Sequence, residues 1–395
     1  MQSFDFYSPT KVVFGKGTEA RTGGEIKAFG GSRVFVIYGG SAKKSGLVDR
    51  VVKSMEESGL AYELCTGVQP NPRLAFAEEA TKKAIDFKAD FVLAVGGGSV
   101  IDTAKAVADA AANPGTAIWD FWTAKAVVTK ALPLGVVLTI SAAGSETSMS
   151  SVLTNEATGS KRGLNSDFHR PKFAVLNPEL TYSLPIFQVS CGIVDILMHT
   201  LDRYFNPTKG NEMTDQIAEA LLRVVFKYGT IAMQNPQDYD AASELMWAGS
   251  LSHNALTGLG AAADFAPHQL GHELSAMWDV AHGASLSAIW GAWATYVHKA
   301  NPARFAQYGR SVWGISEGND EEIAVAAITK TVAYFKSLNM PTCFSEVAEI
   351  GSTVGDDILQ KLADGCTFQG DRPKIGSFVP LDRNAIYEIY KLANK

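Results

Sequence analysis

The chain lacks most of what would mark it as secreted, nucleic-acid-binding or membrane-spanning. Its four cysteines (Cys65, Cys191, Cys343, Cys366) fall in no Cys-x-x-Cys spacing. They read as buried or incidental thiols in a reducing compartment. No run of lysine or arginine occurs and the formal net charge is −6, which argues against a nucleic-acid partner. Uncharged stretches such as 285–297 stop short of the ~18–20 residues that a membrane span needs. The opening MQSFDFYSPTKVVF has no basic region followed by an apolar core, so no secretory signal is expected and the location expected is cytoplasmic. There is no internal repeat and no low-complexity tract. Charged residues make up only 19% and hydrophobic ones 46%, the composition of a compact chain with a large core.

A length of 395 residues exceeds what one core usually serves, so two domains are expected. Apolar and polar residues alternate around Ser8-Pro9-Thr10, a pattern that predicts an N-terminal hairpin. An exposed edge strand there needs covering, and pairing with its counterpart in a homodimer is one way to do so. From Arg33 the pattern becomes α/β: RVFVIY and FVLAV are continuous apolar runs, as in strands buried on both faces. Helical patterns over 47–58 and 74–87 alternate with them, which implies a parallel, doubly wound sheet. From about Ser183 long amphipathic patterns take over. The expected division is an α/β dinucleotide-binding domain over 1–180 and an all-helical metal-binding and substrate domain over 181–395.

Two glycine sites mark the first domain. Gly96-Gly97-Gly98-Ser99 directly follows FVLAV and opens a helix whose first turns carry Asp102 and Lys105. Glycines there let backbone N–H groups approach a diphosphate, and the helix N-terminus supplies a favourable dipole. The alternative is a tight strand–helix turn, with Asp102 acting as a cap or salt-bridge partner. Tyr38-Gly39-Gly40-Ser41 ends the first parallel strand. No Asp or Glu occurs between Arg33 and Leu47, whereas Lys43 and Lys44 do. Without the acid that binds the ribose 2′-hydroxyl of NAD, this end favours the 2′-phosphate of NADP. A solvated helix start explains the lysines otherwise.

The second domain gathers imidazoles. Five of the seven histidines lie between His199 and His282. Asp195 and His199 are four apart, as are His268 and His272, and each such pair shares one face of a helix. A carboxylate with several imidazoles in an apolar surround suits a divalent cation such as Fe(II) or Zn(II). Any one histidine taken alone is more commonly an ordinary core or surface residue.

Together GGGSVIDTAK (96–105), the Asp195–His199 pair and the His268, His272, His282 series resemble the iron-dependent (group III) alcohol dehydrogenase family. Within it, Tyr38-Gly39-Gly40-Ser41 looks like the NADPH-dependent butanol dehydrogenase and aldehyde reductase branch. The resemblance implies that Asp195, His199, His268 and His282 hold the metal and that His272 serves proton relay or positioning. It implies diphosphate contacts from Gly97, Gly98 and Ser99, a nicotinamide-side contact from Thr139, and a ribose contact from Lys161. Asn71 would lie in a loop lining the cofactor cleft. One segment departs: where many members read TTAGTGSE, this chain has Thr139-Ile140-Ser141-Ala142-Ala143-Gly144-Ser145-Glu146, and Ile140 and Ala143 have no hydroxyl.

The activity implied is NADP(H)-linked hydride transfer between nicotinamide and a small primary alcohol or aldehyde. Trp119, Phe121, Trp122, Phe265 and Trp278 would line an apolar substrate pocket, or else pack in the cores. The alternatives are a glycerol dehydrogenase-like or other polyol enzyme of the same superfamily, and a metal- and nucleotide-binding protein without turnover.

Overall fold

The computed structural model describes residues 1–395. Its main sheet has six strands in the order β1-β8-β5-β4-β2-β3. These are β1 (Lys11–Phe14), β2 (Arg33–Tyr38), β3 (Ala61–Thr66), β4 (Phe91–Gly96), β5 (Leu134–Leu138) and β8 (Phe173–Leu176). Every pairing between them is parallel. A parallel sheet is covered on both faces, and the alternation of side chains shows it here. Phe35, Ile37, Val92, Ala94, Val136 and Leu138 join Ala104 and Val107 of the Gly98–Ala112 helix in one core. Val34, Val36, Leu93, Val95 and Val137 join Val48, Val51 and Met55 of the Leu47–Glu57 helix in the other. Each apolar run thus feeds two cores at period two.

The short antiparallel pair β6 (Ser150–Asn155) and β7 (Ser160–Asn165) stands apart from this sheet. The expected N-terminal hairpin does not form. Residues 1–10 contain no strand, and Lys11–Phe14 pairs in parallel with β8 at the sheet edge. Backbone donors of the first residues are used elsewhere: the N-terminal ammonium reaches the carbonyls of Lys209 and Gly210, and Gln2 N–H that of Gly260.

The chain divides into two compact units. One comprises residues 7–184 with 237–250, and the other residues 1–6, 185–236 and 251–395. The segment 237–250 groups with the residues of the α/β unit. That segment is tied to the α/β unit through Met246, which enters the first core, and through Ser250, whose hydroxyl donates to Glu146 Oε1 at 2.5 Å. The second unit consists of helices and connecting loops, with one isolated bridge between Ile375 and Leu381. No helix is long and apolar enough to cross a membrane.

Candidate functional site

The helix Ile186–Tyr204 is buried continuously from Ser190 onward. Asp195, His199 and Asp202 lie on it at i, i+4 and i+7, and so share one face. Two further helices, Ala266–Trp278 and His282–Val297, bring imidazoles to that face, and glycines let them approach. A Cβ on Gly283 would stand 2.3 Å from the carbonyl oxygen of Cys191, one turn before Asp195. One on Gly271 would stand 2.9 Å from Ser285 Oγ. The Ala266–Trp278 helix is also bounded by two left-handed residues, Phe265 (φ 56°) and Asp279 (φ 58°). Phe265 is an uncommon residue for that conformation. Its ring packs 5.3 Å from that of His268 and under the Arg203 guanidinium at 4.8 Å.

Asp195, His268 and His282 each offer a ligand atom, and these atoms lie within 4.8 Å of one another. From Asp195 Oδ1 the distances are 3.8 Å to His268 Nε2 and 3.6 Å to His282 Nε2. His199 stands at the edge of this group. Its Nδ1 is 3.0 Å from Asp195 Oδ1, but the same nitrogen bonds the main-chain oxygen of Asp195, also at 3.0 Å. Asp195 Oδ1 and His268 Nε2 are buried and make no hydrogen bond, a costly arrangement unless a cation satisfies both. The donor set fits a divalent metal. His272, one turn beyond His268, lies outside the three-way group with its ring 5.5 Å from that of His282. The His282 side chain is 27% exposed against 6% for His268, so His282 faces the open side.

Electrostatics suit a cation. Burial alone would raise the Asp195 carboxyl, but the charges of His199 and His282 hold it well below the usual range. Burial lowers His199. Burial also pushes His268 down, yet the carboxylates of Asp202 and Asp195 prevail and raise it to about 9. A cation binding at His268 must therefore displace a proton. Sequence reasoning missed Asp202, His253 (ring 4.1 Å from that of His199) and Arg203. The 195/199/202 spacing was the available signal for Asp202.

In the α/β unit, β2 passes to β3 on one side and the chain then returns to β4 on the other. The carboxyl ends of β2 and β4 thus form a topological switch point, where such sheets bind ligands. Both glycine segments end there, joined by Gly39 N–H donating to Val95 O at 3.2 Å. Gly40 and Ser41 open the Gly40–Lys44 helix, and Gly97 precedes Gly98–Ala112. The N–H groups of Val100 and Ile101 close onto Gly97 O, which leaves those of Gly98 and Ser99 without a helical acceptor. A Cβ on Gly97 would meet Ile140 Cγ2 at 2.4 Å. Thr139 lies beside them, its N–H donating to Gly96 O at 3.2 Å.

Asp102 is engaged inside the protein: it accepts from Ser145 Oγ at 2.6 Å and Val152 N–H at 2.9 Å. Lys105, fully buried and lowered by that burial to about 8, donates to the carbonyls of Ser145, Ser148 and Ser150. Lys161 Nζ donates to Asn71 Oδ1 at 2.8 Å, both buried. Phe121 and Trp122 belong to a core with Leu74, Ala106 and Leu153, against which Trp119 packs. Trp278 has its ring 6.5 Å from that of Phe344.

Residues 9–178 match the family described as iron-containing alcohol dehydrogenase, and residues 189–394 match the C-terminal domain of the same family. The chain belongs to the iron-containing alcohol dehydrogenase family. It is an oxidoreductase of the alcohol dehydrogenase class. The NADH-dependent butanol dehydrogenase A of Clostridium acetobutylicum is 40% identical, with 99% of each chain covered. The NADPH-dependent aldehyde reductase YqhD of Escherichia coli is 36% identical over 95% of this chain and 97% of its own. The crystal structure of the NADH-dependent butanol dehydrogenase A of Thermotoga maritima superimposes with a TM-score of 0.95 at 36% identity, covering 100% of this chain and 99% of that one.

Proposed function

We propose that this protein is a metal-dependent, NADP(H)-linked alcohol dehydrogenase or aldehyde reductase of the butanol dehydrogenase type, acting on small aliphatic aldehydes and primary alcohols. The convergence of Asp195, His268 and His282, with two orphaned buried ligand atoms, carries the reading. Asp195, His199, His268 and His282 hold Fe(II) or Zn(II). When bound, the metal supplies positive charge that polarises a carbonyl, and the nicotinamide supplies the hydride chemistry. The N–H groups of Gly98 and Ser99, which have no helical acceptor, hold the diphosphate, with Gly39, Gly40 and Ser41 at the neighbouring strand end and Thr139, Asn71 and Lys161 as further cofactor contacts. Asp102 belongs to the support of that site rather than to its surface, because both its oxygens are engaged. His272, beside the partly exposed His282, moves or positions a proton.

The NADP(H) preference rests on the absence of a carboxylate along 33–47, although Lys43 is already paired with Asp49 and Lys44 remains the stronger candidate for a 2′-phosphate. The relatives named NADH-dependent favour NAD(H) as the second reading. β1 pairs only with β8, and its open edge is the proposed homodimer contact of a cytoplasmic enzyme. Anaerobic purification, elemental analysis and paired NADPH/NADH assays with short- and medium-chain aldehydes test the proposal. Stoichiometric iron or zinc and faster NADPH turnover are expected. Bound metal with no cofactor oxidation across the aldehydes would refute it.

A further inference from the structure

We infer that Asp202 is a positioning residue for the metal: it fixes the His268 ring from behind and supplies a second negative charge to the site. The inference rests on the reading of Asp195, His268 and His282 as a metal-binding set. Asp202 is fully buried, and its Oδ2 lies 2.6 Å from His268 Nδ1. The geometry leaves Nε2 as the free nitrogen of that ring, and Nε2 is the atom 3.8 Å from Asp195 Oδ1. A histidine whose far nitrogen donates to a carboxylate is locked in tautomer and orientation and is a more basic ligand.

No other side chain hydrogen-bonds the Asp202 carboxylate, although the Arg203 guanidinium is close enough to feel its charge. The adjacent Arg203 directs Nη1 to the carbonyl of His199 and Nη2 to His253 Nδ1. The nearby Asp264 carboxylate accepts the N–H groups of Ala266, Ser377 and Phe378. Asp202 Oδ1 has no hydrogen-bond partner. The one hydrogen bond of the Asp202 side chain thus runs to the imidazole, and a divalent ion held by Asp195 and His268 would lie on the far side of that ring. Helical spacing builds the pair: Asp195 and Asp202 are seven residues apart on one face, one meeting the ion and the other the back of its ligand.

Asp202→Asn tests this in the full chain, because it keeps the shape and an acceptor oxygen while removing the charge. Zn(II) affinity is measured by chelator competition, together with the melting temperature of metal-free and zinc-loaded protein. The affinity should fall about 10–100-fold. The rise in melting temperature caused by zinc should shrink. In a His268→Ala background, Asp202→Asn should cost no further affinity, because its route to the ion is gone. Wild-type affinity in Asp202→Asn overturns the inference, as does an equal loss in both backgrounds. A variant that does not fold, with or without zinc, makes Asp202 a purely structural residue and overturns it too. A wild-type chain that takes up no Zn(II) instead refutes the metal reading and the inference with it.

Discussion

Replacing Gly283 by alanine tests how the proposed metal set is assembled without touching any of its proposed ligands. The added Cβ would stand 2.3, 2.6 and 2.8 Å from the O, Cα and C of Cys191, all backbone atoms. Ordinary contact begins near 3.4 Å, so the helices 186–204 and 282–297 must part by about 1 Å, with no side chain available to swing aside. Inserting a methyl into such a contact costs about 1–3 kcal/mol. In a unit of roughly 200 residues that lowers the melting temperature by about 2–4 °C per kcal/mol. The larger effect falls on the site. Gly283 follows His282, whose Nε2 is 3.6 Å from Asp195 Oδ1, and metal ligands tolerate displacement of only ~0.2 Å. Elemental analysis of purified Gly283→Ala should find metal well below one per chain and activity reduced in proportion. A variant that melts within 1 °C of wild type (about the resolution of the comparison) and keeps full metal would refute the close-approach argument.

Three further outcomes follow from the same geometry. His272→Ala should lower turnover while metal content stays near wild type, whereas His268→Ala should lose both; metal loss in His272→Ala would make it a ligand. His268, raised to about 9 from 6.5, stabilises the metal-free fold fully below pH 6.5, and that contribution is lost as pH rises through 9. The cation competes with the same proton, so apparent Zn(II) affinity should climb by up to ~10-fold per pH unit between about 7 and 9, and a flat titration would count against it. Ala143→Thr places a hydroxyl close to Gly98, where an added Cβ would stand 3.6 Å from Ala143 Cβ; one added hydrogen bond of ~0.5–1.5 kcal/mol should tighten nucleotide binding about 2–12-fold, read by fluorescence titration.

Much of the α/β unit was legible because buried parallel strands leave an unambiguous trace. RVFVIY and FVLAV are uninterrupted apolar runs, and they form β2 and β4 in the centre of the sheet. The N-terminal alternation misled because period two reports a half-buried extended segment, not its partner. Residues 4–7 are exposed, and no strand pairs with them. Trp119, Phe121 and Trp122 look alike as pocket or core in sequence, and only the packing against Leu74 and Leu153 places the latter two inside. Asp102 was ambiguous for a related reason: a carboxylate one turn into a phosphate-binding helix can face the ligand or the loop. Here Ser145 and Val152 take both its oxygens.

The proposed metal set divides along the same line between local and distant information. Asp195 with His199, and His268 with His272, are visible because i, i+4 spacing is fixed by the helix itself. That Asp195, His268 and His282 come within 4.8 Å depends on three helices meeting, and the positions that permit it are Gly271 and Gly283. A glycine inside a helix costs stability, and its compensation is long-range, so nothing nearby in sequence announces it. The same limit hid the division of labour within each pair. His268 meets the ligand group while His272 falls outside it, and the carboxylate behind His268, Asp202, lies sixty-six residues earlier in the chain. Spacing can say which side chains share a face of one helix, but the partner behind a ligand decides which of them is oriented to bind.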